Sequence, residues 1–121
     1  MKKVLLVEDD PFLIDIYGIK IKESGFELEV VSDGSEVLFK AKDMKPDIVI
    51  LDIVLPQMDG WEILKSLRAE KSLQYLKIII LSNLGQKEEV EKGIALGATS
   101  YLIKAHYTPS QVIEEIKKHL S

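Results

Sequence analysis

The chain has 121 residues, 46% apolar and 30% charged, with a net charge of -4 and no cysteine. That size suits one domain, residues 1–121, around one core, and the balance is that of a globular chain rather than a disordered one. An acidic balance without a basic block argues against a nucleic-acid surface, while the lack of cysteine excludes disulfides, thiolate catalysis and cysteine zinc sites and fits a cytoplasmic location.

The first apolar run, Val4–Val7, stops at Glu8-Asp9-Asp10. A secretory segment needs roughly 7–15 apolar residues, so this run is not one. No run reaches the ~20 residues of a membrane span. Further apolar runs follow at Ile48–Leu51, Ile78–Leu81 and Tyr101–Ile103. Unbroken runs this short suit strands buried on both faces of a parallel sheet. Glu27-Leu28-Glu29-Val30-Val31 begins by alternating, which predicts an edge strand with one wetter face.

Helical segments with readable ends lie between the runs. Asp10 offers an N-cap, Pro11 an N1 proline and Gly25 a stop, with Leu13, Ile16 and Tyr17 facing inward. Asp33 is the expected cap of the second helix, whose inward residues are Val37, Leu38 and Ala41. The third carries Trp61, Leu64 and Leu67; Trp61 reads as helix packing rather than a binding platform. The fourth runs from about Gln86 to Leu96 and ends at Gly97. Thr108-Pro109-Ser110-Gln111 is a capping box with proline at N1, opening a helix with Val112, Ile113, Ile116 and Leu120 on one side. Five β-α repeats predict an α/β fold, a parallel sheet with helices on both faces and right-handed crossovers.

Polar residues sit where the apolar runs end: Glu8 and Asp9 after the first, Asp52 after the third, Ser82 after the fourth and Lys104 after the fifth. In a parallel sheet these ends share one edge, where ligands bind. Two carboxylates about 4 Å apart repel by roughly 4 kcal/mol at an effective dielectric near 20. Three acids on one rim therefore call for protonation, a lysine or a hard cation. Magnesium takes oxygen ligands and keeps several waters, which fits Asp9 and Asp52 as direct ligands, Glu8 through water, and the Val54 carbonyl. An aspartate so placed can also act as a nucleophile and form an aspartyl phosphate. Lys104 and Ser82 would then hold phosphoryl oxygens. Each residue alone has a plainer reading. A lone Asp after a strand is a turn former or cap, as Asp10 and Asp59 are expected to be, and a lone Ser or Lys is solvated. His106 and His119 read as surface residues. The conjunction of five reverses the balance.

Four stretches carry a resemblance: Val4 to Asp10; Asp47-Ile48-Val49-Ile50-Leu51-Asp52-Ile53-Val54-Leu55-Pro56-Gln57-Met58-Asp59-Gly60; Ile80-Leu81-Ser82; and Gly97 to Lys104. Together they resemble the receiver domains of two-component response regulators over essentially the whole chain. The resemblance implies a flavodoxin-like, doubly wound sheet of order 2-1-3-4-5. It makes Asp52 the phosphoacceptor, Glu8 and Asp9 the magnesium-binding acids, Lys104 the phosphate-binding lysine, and Ser82 and Tyr101 the switch pair. It implies a phosphorylation-dependent switch rather than an enzyme, apart from catalysis of its own phosphorylation and dephosphorylation. The donor would be a sensor histidine kinase or phosphotransfer protein, and the output a protein target meeting the fourth helix, fifth strand and fifth helix. A monomer, or a weak dimer on phosphorylation, is expected, without direct contact to nucleic acid or membrane.

The chain departs from the family at three places. Ala105 follows Lys104 where proline in a cis bond is usual; a cis bond before a non-proline residue costs ~2.5–4 kcal/mol, so trans is expected. Asn83 follows Ser82 where a smaller residue is common. Val54 and Leu84 are apolar where polar side chains often govern dephosphorylation, which predicts a long-lived phosphorylated state. Three other functions compete. A haloacid-dehalogenase-type phosphatase needs a second acid two residues after Asp52, where Val54 stands. A flavodoxin-like cofactor binder needs phosphate donors after the first strand, where Glu8-Asp9 would repel. A degenerate receiver would lack part of the constellation. With the chain ending at Ser121, the signal is expected to leave through a protein contact or a separate chain.

Overall fold

The computed structural model describes residues 1–56 and 58–121; Gln57, within the stretch that carries the resemblance, lies outside the described residues. The strands are β1 (Lys3–Val7), β2 (Glu27–Val31), β3 (Ile48–Leu51), β4 (Lys77–Ser82) and β5 (Ser100–Ile103). The helices are α1 (Pro11–Glu23), α2 (Val37–Met44), α3 (Gly60–Ala69), α4 (Lys87–Ala95) and α5 (Pro109–Leu120). All pairings are parallel and the order is β2-β1-β3-β4-β5, as the resemblance implies.

The pleat explains why the strand runs are wholly apolar. Leu5, Val7, Val49, Leu51, Ile78 and Ile80 point to one layer, with Val37 and Ala41 of α2 and Ile63, Leu64 and Leu67 of α3. Their alternates Val4, Leu6, Ile48, Ile50, Ile79 and Leu81 point to the other. There they meet Tyr17 and Ile21 of α1 and Val112, Ile113 and Ile116 of α5. Both faces are dry, so neither set of alternates is polar. β2 is one of the sheet's two edges, with Glu27 and Glu29 exposed. No helix among the described residues is long and apolar enough to cross a membrane.

The helix ends follow their capping chemistry. Asp10 accepts from the Phe12 amide, Asp59 from Trp61, and Thr108 and Gln111 form the reciprocal box before α5. α4 is slightly shorter than its pattern, and Gly97 follows it with φ +108. Two expectations need correction. Asp33 does not cap α2: its carboxylate takes the Ser35 amide and hydroxyl and caps a 3-10 turn, Gly34–Glu36, that feeds α2. Ser82 is not past β4 but its last residue, because Ser82 still pairs with Ile103.

Gly60 packs closely against the backbone of Ile53. The Gly60 amide donates to the Ile53 carbonyl at 3.1 Å, and a Cβ on Gly60 would lie 2.4 Å from Ile53 Cα and its oxygen. Backbone cannot rotate aside as a side chain can. Gly60→Ala should therefore destabilise by about 1–3 kcal/mol, the range for overpacking. A urea midpoint that falls with an unchanged slope is the expected result; a wild-type midpoint would show that the loop yields freely.

Candidate functional site

Strand register builds the site. Val7 pairs with Leu51, so the next residues, Glu8 and Asp52, stand side by side just past the ends of neighbouring strands. The ladder runs on beneath them: the Glu8 amide donates to Val31 O and the Asp52 amide to Val7 O, each at 3.1 Å. Ile103 lies beside Ser82, which puts Lys104 one step past β5, at the start of a 3-10 turn. Residues nearly a hundred positions apart thus meet on one rim.

The carboxylates of Glu8, Asp9 and Asp52 each offer an oxygen within 4.8 Å of the others. Asp9 is exposed, Glu8 is buried, and Asp52 is 6% exposed. Lys104 reaches in from the far side. Its Nζ donates to Asp52 Oδ2 at 2.9 Å and to Glu8 Oε2 at 3.0 Å and Oε1 at 3.3 Å. The other Asp52 oxygen, Oδ1, accepts from the Val54 amide at 3.1 Å. The Asp52 carboxylate is therefore held by a donor on each oxygen, which fixes its plane.

Charge regulation follows from this burial. Desolvation pushes the Glu8 carboxyl up to about 7; the Lys104 hydrogen bond opposes the rise and the Asp52 charge adds to it. Desolvation alone pulls the Lys104 ammonium down, but the hydrogen bonds and charges of Asp52 and Glu8 outweigh it and hold the ammonium above its ordinary value. Lys104 is thus a fixed cation beside two buried acids. One ammonium does not neutralise three carboxylates, and the surplus oxygens, hard and anionic, match magnesium's ligand preference. The residues present fit that ion.

A cleft opens above the acids, walled in part by Asp9, Val54, Asn83 and Lys104. Val54 is 57% exposed at its mouth. Here the structure corrects the sequence reading. Leu84 does not line the cleft; its side chain packs against the core layer of α2 and α3, and Asn83 faces the opening instead. The Lys104-Ala105 bond is trans, as expected, and no cis bond occurs among the described residues.

Ser82 is 0% exposed, and its hydroxyl accepts from the Leu84 amide at 3.3 Å. Tyr101 is half-buried, and its hydroxyl donates to the Leu84 carbonyl at 2.5 Å. Burial pushes that phenol upward, the Glu89 and Asp52 charges adding to the rise and the Ser82 hydroxyl opposing it. The Leu84 peptide groups thus stand between the two expected switch residues, a role that no side-chain pattern announces. Trp61 packs against the core, as its helical position predicts, with the Lys92 ammonium 4.6 Å above its ring.

A family model for the response regulator receiver domain matches residues 4–117. The chain belongs to the receiver-domain family of response regulators. It is 36% identical over 118 residues to the alkaline phosphatase synthesis transcriptional regulatory protein PhoP of Bacillus subtilis (strain 168), covering 96% of this chain and 47% of that one. It is 30% identical over 119 residues to the DNA-binding response regulator MtrA of Mycolicibacterium smegmatis, covering 98% of this chain and 50% of that one. This receiver chain therefore spans about half the length of these curated relatives. Among solved structures it matches the chemotaxis response regulator CheY4 of Vibrio cholerae, with TM-score 0.90, 29% identity and 98% of each chain covered. It also matches the BeF3-activated receiver domain of Klebsiella pneumoniae RstA, with TM-score 0.89, 26% identity and 98% of each covered. Receiver domains of two-component systems are signalling switches that bind magnesium in an acidic pocket, and Glu8, Asp9 and Asp52 form such a cluster here.

Proposed function

We propose that this receiver is switched by transfer of a phosphoryl group to Asp52 from a phosphohistidine on a sensor kinase or phosphotransfer protein. The observation that carries this reading is the Asp52 carboxylate, fixed between the Lys104 ammonium and the Val54 amide below an open acidic cleft. An Asp52 oxygen forms the bond to phosphorus as the donor's phosphorus–nitrogen bond breaks, and the imidazole leaves. Asp9 and Asp52 would hold magnesium directly, Glu8 through water and Val54 through its carbonyl; the ion supplies charge neutralisation to the phosphoryl oxygens. Lys104 is preorganised to hold another oxygen of the incoming group, so little reorganisation accompanies transfer.

The switch reading extends from the same geometry. To reach the phosphoryl group, Ser82 must give up the Leu84 amide, which leaves Tyr101 to hold the loop through the Leu84 carbonyl. The readout surface is then α4, β5 and α5, met by a protein target in the cytoplasm. The RstA receiver carries beryllofluoride, and the same phosphoryl analogue suits this pocket.

Borohydride reduction tests the assignment. After incubation with acetyl phosphate and magnesium, an acyl phosphate at Asp52 is reduced to homoserine, and peptide mass analysis maps it. Conversion at position 52 alone is expected, and none when a chelator replaces magnesium. Conversion at another carboxylate, or none anywhere, overturns the reading.

The lifetime of that group should be long. Hydrolysis needs a water in line with the Asp52–phosphorus bond, and a polar neighbour can orient it. Val54 cannot donate or accept through its side chain, and it stands at the cleft mouth. Val54→Asn should speed loss of the phosphoryl group by about tenfold, less than the roughly 10²–10⁴-fold of a positioned acid or base, because an amide orients the water without taking its proton. Equal or slower loss would assign the lifetime to Asn83 or to solvent access.

A further inference from the structure

Helix α4 is held by very little. Of its nine residues one is fully buried, and that one is Gly93. Alanine would be favoured at a helix interior, because glycine keeps more freedom in the unfolded chain. The space explains the choice. A Cβ on Gly93 would lie 2.8 Å from Tyr101 Cδ2, 3.1 Å from Tyr101 Cε2 and 2.8 Å from Ile80 Cδ1. The tip of Ile80 can turn aside, but the ring is pinned by its hydroxyl on the Leu84 carbonyl. One contact chain runs from the Ser82 hydroxyl, through both peptide groups of Leu84, to the Tyr101 hydroxyl and so to the backbone of α4.

We propose that Gly93 is a positioning residue of the switch: its missing side chain is the seat that holds the Tyr101 ring against α4 with the hydroxyl on Leu84. The inference rests on the phosphorylation reading, since the seat matters to signalling by favouring the arrangement that the phosphoryl group selects. A methyl at the seat moves the ring outward or lifts α4. Either shift removes the link between Tyr101 and the loop that follows Ser82. The cost falls on the seated state alone, so it appears as weaker binding of any ligand that prefers that state.

Four full-length proteins test this: wild type, Gly93→Ala, Tyr101→Ala and the double variant. Nuclear Overhauser contacts between the Tyr101 ring and the Gly93 α-protons should be present in wild type. In Gly93→Ala, contacts from the ring to the Ile80 methyl should be lost. Beryllofluoride titration with magnesium, followed by amide shifts, should need about fivefold more analogue for half-saturation in Gly93→Ala than in wild type. Against the Tyr101→Ala background the same change should alter analogue affinity by less than about twofold, as expected once the shared contact is gone, and should raise the thermal midpoint through helix propensity. Wild-type affinity and ring position in Gly93→Ala overturn the seat. So does an equal loss of affinity with and without Tyr101, which marks a general disturbance of α4. A wild type that binds no beryllofluoride overturns the phosphorylation reading instead, and the ring contacts then decide the seat by themselves.

Discussion

Asp52→Asn should abolish phosphoryl acceptance while leaving the fold intact. The amide keeps the shape of the carboxylate, so its oxygen can still accept from the Val54 amide or from Lys104. It is not a nucleophile of comparable strength, and it removes one of the three acids that share the rim. Labelling by acetyl phosphate should fall below detection, a loss of at least ~10³-fold if chemistry at this oxygen is the whole reaction. The thermal midpoint should match or exceed wild type, because Asp52 adds to the forces that push Glu8 toward protonation. Labelling at a normal rate would move the acceptor to another carboxylate. A collapse of the midpoint would show that the Lys104–Asp52 pair is needed to fold.

Much of this could be read from residue order. The strands were legible because burial on both sheet faces leaves no polar alternates, so Val4–Val7 and Ile48–Leu51 stand out as unbroken runs. The rim was legible because parallel strands align their ends, and register does the rest: Val7 against Leu51 brings Glu8 to Asp52. Asp33 misled because a cap serves whichever turn begins next to it, and three residues of 3-10 turn intervene before α2. Leu84 misled for another reason. Its position relative to Ser82 suggested the cleft, but an apolar side chain goes where the core is, and the neighbouring Asn83 takes the opening. The pairing of Lys104 with Glu8 as well as Asp52 was not legible either, since both partners are set by depth below the surface. Gly93 carried a readable signal, a glycine inside a helical pattern, whose cause appears with the ring that fills its place.

Lys104→Met should weaken phosphoryl transfer and strengthen magnesium binding at once. In the proposed reaction the ammonium would serve two roles that pull apart. As a preorganised donor it meets charge on the transferring group, and removal of one such donor costs about 10²–10³ in rate where it has been measured. As a cation 2.9 Å from Asp52 and 3.0 Å from Glu8, it also occupies the carboxylates that the ion needs. Methionine keeps the length and much of the volume without the charge, so packing changes little. Two buried acids then face each other with no cation between them, and each gains by meeting magnesium. At an effective dielectric near 20 the lost Lys104 attraction is several kcal/mol before solvent relaxation, and a tenth of the wild-type dissociation constant would need about 1.4 kcal/mol of it. Magnesium titration followed by amide shifts should show tighter binding, while acetyl phosphate labelling at saturating magnesium falls by about a hundredfold. Weaker magnesium binding would mean that Lys104 orients the carboxylates rather than competing for them. Labelling at the wild-type rate would mean that the ion and the Val54 amide carry the transition-state charge without the lysine.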